Sequence, residues 1–384
     1  MSNYVRVEGM SKTVVVIASM SLAVLLACGV AFAAAVGSQP IGRTVDTNGI
    51  VWTTLRVGDR VYLGGAFTSV NGKPRSGLAA ITANTGRLTA WAPNANHSVL
   101  ALVASPSGDS IYAGGEFTSV NGIARGHVVA IGASTGRVRK EWNADADLPV
   151  YSLATSGRRV YLGGKFRKVN GRNRQGLAAV RSTDGKVYPN WTPTTDGNVR
   201  TLALSPHKRR LYAGGNYSVI SGKRRPNLAA LDPATGAVKD WIPNPMVDND
   251  YEVFDLEVTN KKVYVAGGGR DPDGTAEAFG AGKGDSVWRY ASNGDFQAVA
   301  LLKRKLYFGG HFTKLDRKTE EIRRNKLMAV AAPTGRLDAR WKPGANGGVW
   351  SMTANPARHR VYAGGAFTQI NGRPKRGFAQ LSVR

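Results

Sequence analysis

The chain has 384 residues, 42% of them hydrophobic, and carries 52 Lys and Arg against 26 Asp and Glu, a formal charge of +26. So large a charge excess predicts attraction to polyanions, and the length is sufficient for an extensive core. A single cysteine, Cys28, excludes an intrachain disulfide and any cysteine-based zinc site.

Residues 1–36 read as an export signal. Arg6 and Lys12 precede an apolar run over 13–36 that holds no charge, and Ala31, Ala33 and Ala35 offer A-x-A cleavage. Uncleaved, the same run is long enough to span a bilayer, for which roughly 20 residues suffice, and 13–36 is then the chain's membrane contact. Lipidation at Cys28 is a third option. Next comes an orphan, "GRTVDTNG" over 42–49, which looks like the tail of the later units. It predicts that 42–48 pair with the last unit and close a ring.

From Ile50 onward one phrase recurs. It reads "GGAFTSVNG" at 64, "GGEFTSVNG" at 114, "GGKFRKVNG" at 163, "GGNYSVISG" at 214, "GGHFTKLDR" at 309 and "GGAFTQING" at 364, with a degraded copy at 267. A period of about 50 residues is that of sheet blades rather than helical hairpins. Each unit reads as four short strands. In the second these are "SVLALVAS" (98–105), "SIYAGGEF" (110–117), "HVVAIGA" (127–133) and "RVRKEW" (137–142), bounded by Gly, Pro, Asn and Asp. The last unit lacks the fourth strand, which the N-terminal segment is expected to supply. The fold class is therefore all-β: a seven-bladed β-propeller over 42–384, closed by the N-terminal strand, with no free sheet edge. Within the phrase, the paired glycines predict close approach of a neighbouring blade. Phe67, Phe117, Phe166, Tyr217, Phe312 and Phe367 should fill the core between blades. Trp91, Trp142, Trp191, Trp241 and Trp341 should lie over the next blade, and Asn-Gly should supply positive φ.

These residues also carry a resemblance. "VYAGG" followed by a distant Trp resembles a kelch blade, and "AALDPATGAVKDW" (229–241) resembles a quinoprotein-type repeat. The combined phrase is similar to the delta-60-type propeller repeats of secreted bacterial proteins, over 42–384 except about 251–291. The resemblance implies the fold, but such propellers serve binding, scaffolding and catalysis alike. The Tyr–Cys centre of kelch-type copper oxidases is excluded because no cysteine follows Cys28. The paired-cysteine disk of quinoprotein dehydrogenases is excluded for the same reason.

Two constellations remain. Arg75, Arg125, Arg174, Arg225, Arg324 and Lys375 occupy one equivalent slot, three residues before the third strand. In a ring they share a radius and a face, and are either a polyanion-binding platform or fasteners of their own loops. Lys73, Arg172, Lys223, Arg224, Arg323, Arg373 and Arg376 stand beside them. The second set, in the connections between blades, is Asn94, Asn96, Asp145, Asp147, Asp196, Asp248, Asp250 and Asp295, with Asp46 from the N-terminus. It should converge on the channel mouth, as turn formers or as oxygen ligands for calcium. His311 sits in a slot that tolerates many residues and should face solvent. His97 ends a connection between blades. Blade five reads either as decayed or as a functional break.

The expectation is a secreted or cell-envelope propeller that binds without catalysis. Its partner is an anionic cell-surface polymer or a protein, with no specific nucleic acid and no cofactor unless calcium sits at the mouth. The alternative is an extracellular glycan or lactone lyase or hydrolase with a metal-dependent site there.

Overall fold

The computed structural model describes residues 39–43, 45–243, 251–269, 274–317 and 320–383. The export segment with Cys28, and Asp248 and Asp250 of the predicted mouth, lie outside the described residues. Among these residues no helix is long and apolar enough to cross a membrane.

The strands form antiparallel meanders in chain order, each starting with Ile50–Val57, Val99–Ala104, Val150–Ser156, Asn198–Leu204, Tyr251–Val258, Phe296–Leu302 or Val349–Asn355. The first strand of each sheet packs beside the first strand of the next. Ile50–Val57 packs beside Val349–Asn355, which closes the circuit. These seven first strands surround a central channel. Between second and third strands a small hairpin projects, such as Ser69–Val70 paired with Lys73–Pro74.

Three expectations need correction. Six of the units were read as having a fourth strand, but in five of them it shrinks to a single bridge: Ile81 with Leu88, Ile131 with Val138, Val180 with Val187, Leu231 with Val238, and Val330 with Leu337. The chain there is drawn off the ladder so that the following Trp can cross to the next sheet. The fifth sheet, read as irregular, is the most regular. Tyr251–Val258, Lys262–Gly269, Gly274–Gly280 and Ser286–Ser292 make a full four-stranded meander. Closure also starts earlier than 42–48. Pro40 pairs with Leu381 and Ile41 with Gln380, on the last strand Phe378–Ser382, and Asp46 adds one bridge to Gly377.

Tyrosine and tryptophan join the sheets. Trp91 Nε1 donates to the Gly132 carbonyl at 2.9 Å, and Tyr62 Oη donates to Ala133 at 2.9 Å, both in the next sheet. Trp142 reaches Arg181, Trp241 reaches Gly280, Trp288 reaches Ala332 and Trp341 reaches Ser382 in the same way. Each Tyr–Trp couple packs ring against ring, at 4.9 Å for Tyr62 and Trp91. Burying one such side chain stabilises by about 1.5–3 kcal/mol, so each joint adds directly to the packing between sheets.

The two glycines of the recurring pair have separate tasks. A Cβ on Gly114 would sit 2.8 Å from Val150 Cγ1 of the next blade, and one on Gly64 2.9 Å from Val99 Cγ1. The first glycine therefore admits the neighbour. A Cβ on the second would instead collide with a carbonyl oxygen of its own first strand: Ile50 for Gly65, Ser98 for Gly115, Gly348 for Gly365. That strand is pushed inward at this point.

Candidate functional site

The inward push is a β-bulge, present at the same place in every first strand. The register skips between Val51 and Thr53, Val99 and Ala101, Val150 and Ser152, Val199 and Thr201, Val253 and Asp255, Phe296 and Ala298, and Val349 and Ser351. A bulge frees one residue from the ladder and re-aims its side chain. The freed residues are Trp52, Leu100, Tyr151, Arg200, Phe254, Gln297 and Trp350. All seven line one cavity of about 570 Å³ at the channel mouth. A smaller cavity of about 380 Å³ lies between the second and third sheets beside Asp109, whose carboxylate already accepts bonds from Ser105 and Ser110.

Polar groups converge on one arc of the mouth. Arg200 forms an ion pair with Glu252 and lies over the Tyr151 ring, its Cζ 4.5 Å from the centroid. Trp350 stands 5.1 Å from Trp52 and edge-on to His311 at 4.3 Å. Gln297 Nε2 donates to Asp295 Oδ2 at 3.3 Å. Across the mouth His97 Nδ1 meets Glu116 Oε2 at 3.0 Å. Burial raises the Asp295 carboxyl above the usual range, although His311 opposes the shift, and burial lowers His311 in turn.

Below this rim lie two further carboxyls. Asp255 Oδ2 accepts the Val299 N–H at 2.9 Å and Glu257 Oε2 accepts the Leu301 N–H at 3.3 Å, both on the first strand of the sixth sheet. Ser or Thr fills the Asp255 position in most other sheets, so blade five differs in its inner chemistry rather than its regularity. Burial pushes both carboxyls up to about 7, with Asp255 adding to the rise of Glu257.

The predicted cation ring is formed, but its cations are turned inward. Arg125, Arg174, Arg324 and Lys375 are each under a tenth exposed. Nη1 donates to the carbonyl of the preceding residue in Arg75, Arg125, Arg174, Arg225 and Arg324. Nη2 crosses to the fourth segment, to Thr89 from Arg75, Lys140 from Arg125, and Tyr188 and Pro189 from Arg174. These residues are fasteners. The cations left for solvent are their neighbours on the hairpin tips, Lys73, Arg172, Lys223, Arg224, Arg323 and Arg373, all exposed.

The oxygen-bearing set is also drawn into the fold. Asn96 Oδ1 accepts the N–H groups of Thr118 and Ser119, Asp147 Oδ1 those of Arg167 and Lys168, and Asp196 Oδ1 those of Ser218 and Val219. Asp145 Oδ1 accepts Gly126 N–H, and the backbone N–H of Asn94 donates to Asn121. Asn96, Asp147 and Asp196 clip a connection between blades to the next hairpin, and Asp145 ties one back to the preceding blade. Among the described residues no group of three or more His, Cys, Asp or Glu is arranged to hold a metal ion.

The comparisons with known proteins agree with this geometry. The β-propeller domain of Cps50 (Swd1) from Myceliophteria thermophila superposes with a TM-score of 0.58 at 12% identity, over 88% of this chain and 99% of that one. The WD40 β-propeller domain of Doa1 gives 0.60 at 12% identity, over 89% and 95%. This chain is a β-propeller. The propeller is also similar to a computationally designed protein, Ika8, with a TM-score of 0.56 at 14% identity over 90% and 100%. Residues 74–252 of the propeller match the family described as outer membrane protein assembly factor BamB, so its repeats are quinoprotein-like. No curated protein matches the propeller.

Proposed function

We propose that this propeller is a non-catalytic binding protein of the cell envelope or the space outside it, and that it gathers an anionic polymer on the face bearing the hairpins. One observation carries the reading. The tips repeat around the ring, and their exposed cations are free of the bonds that occupy the neighbouring slot. Lys223 has only a distant carboxylate, Asp240 at 3.9 Å. Repeated weak contacts on a fixed circle sum through effective concentration, whereas any one alone would be negligible. Envelope placement is supported by the match of 74–252 to the BamB description and by the apolar run 13–36.

The test is binding of the full chain to a glycerol-phosphate polymer across a salt series. Affinity should fall steeply with salt. The combined variant Lys73→Gln, Arg172→Gln, Lys223→Gln, Arg224→Gln and Arg373→Gln should flatten that dependence while melting normally. Salt-independent binding, or an unchanged series in the variant, defeats the proposal.

A further inference from the structure

The bulged ring is not needed for the fold. Bulged residues could be any side chains that tolerate partial exposure, and here six different types fill the seven positions, Trp alone occurring twice. Four of the seven are aromatic, and all seven are only partly buried. Partly exposed aromatics gathered at one concave mouth mark a ligand site.

Charge narrows the ligand. Glu116, Glu252 and Asp295 line or border the mouth of a chain whose net charge is +26, so carboxylates are concentrated where the rest of the surface is cationic. They oppose entry of a phosphate-bearing chain. A cationic guest is disfavoured because the protein's own cation already uses one aromatic face and one acid: Arg200 lies over Tyr151 and pairs with Glu252. An extended peptide finds no continuous strand edge, because the bulges interrupt each first strand. A neutral pyranose fits what is left. Its C–H face packs on an indole, and its hydroxyls both donate and accept. They meet a planar set held in place beforehand: the Gln297 amide, the Asp295 and Glu252 carboxylates, and the Arg200 guanidinium.

We propose that the channel mouth is a saccharide site that takes a neutral pyranose unit against Trp52 and Trp350. It is separate from the hairpin cations, and it deepens the binding role proposed above without depending on their charge. A surface glycan carrying anionic chains would engage both, its sugar at the centre and its charge at the rim.

The experiment titrates the full chain with soluble β-linked glucose oligomers and N-acetylglucosamine oligomers, followed by tryptophan fluorescence and saturation-transfer NMR. At least one series should shift the emission and bind with an affinity insensitive to salt. Trp350→Ala and Trp52→Ala should each weaken that binding at least tenfold, while salt-dependent polymer binding persists. Gln297→Ala, at a partly buried side chain freed from the ladder by the bulge, should weaken it severalfold and melt like the parent. The five-site hairpin variant should bind the oligomers normally. No response from either series, or full binding by all three mouth variants, overturns the saccharide site and leaves the polymer proposal standing. Binding that disappears with salt also overturns it.

Discussion

Replacing Arg174 by Met separates a fastener from a ligand contact. Arg174 is 7% exposed, and its guanidinium donates to Asn173 at 2.6 Å and to both Tyr188 and Pro189 at 3.1 Å. A hydrogen bond to a charged group contributes about 1.5–3 kcal/mol. Counting the shared Nη2 interaction once leaves two bonds, or roughly 3–6 kcal/mol before desolvation is considered. Burial disfavours the cation, as its lowered pKa records, and Met removes that cost while retaining most of the packing. The net loss should be about 2–3 kcal/mol. In a chain of this size that lowers Tm by roughly 2 °C per kcal/mol, or about 4–6 °C by calorimetry. Arg174→Lys should lose about half as much, because Lys375 already serves the equivalent slot in the seventh blade. Polymer binding at low salt should be unchanged in Arg174→Met and weakened in Arg172→Gln. An unshifted Tm in Arg174→Met, together with weaker polymer binding than in Arg172→Gln, would refute the reasoning.

Three further outcomes can be checked. Asp255 and Glu257, raised to about 7 by burial, hold protons in the folded chain that the unfolded chain releases near pH 4. Their contribution therefore falls as pH rises from about 4 to about 7, by roughly 3–4 kcal/mol per carboxyl. Asp255→Asn with Glu257→Gln should flatten the pH dependence of the urea midpoint, and an unaltered slope contradicts the assignment. Gly365→Ala places a methyl on the Gly348 carbonyl. It should cost at least about 1–3 kcal/mol and blue- or red-shift the emission of Trp350 as the bulge relaxes; parental stability with unchanged emission argues against the bulge account. Removing residues through 44 strips the Pro40–Ile41 pairing from Phe378–Ser382. The shortened chain should melt lower and aggregate through the bared edge, which light scattering on heating will show.

The parts of the fold legible in sequence were those that every blade must repeat. Gly-Gly, the aromatic two residues later, Asn-Gly and the distant Trp recur because each meets the same steric demand in most of the blades. The tyrosine of "VYAGG" was equally repetitive, but its hydroxyl bond to the next blade was not read. The site escaped for the opposite reason. Trp52, Leu100, Tyr151, Arg200, Phe254, Gln297 and Trp350 share a position without sharing a chemistry, and a bulge leaves no residue type as its signature. The paired glycine opposite was the available signal, because only a strand displaced toward it forbids a Cβ there. His311 was placed correctly at the surface, but its tolerant slot hid the edge-on contact with Trp350 of the next sheet, which only the packing of adjacent sheets creates. The Arg and Asx series misled because repetition reports what the scaffold requires, and both series turned out to satisfy backbone atoms.

The ladder joining Pro40 to Leu381 also governs when the molecule can exist. Pro40 and Ile41 find their partner only in Phe378–Ser382, so the pairing that joins the two ends of the ring cannot form until that strand is made. A chain halted before Phe378 leaves Pro40–Ile41 and Arg360–Gly365 each without that neighbour. Closure over so long a sequence separation is slow, and unclosed products stay visible to proteases by their bare edges.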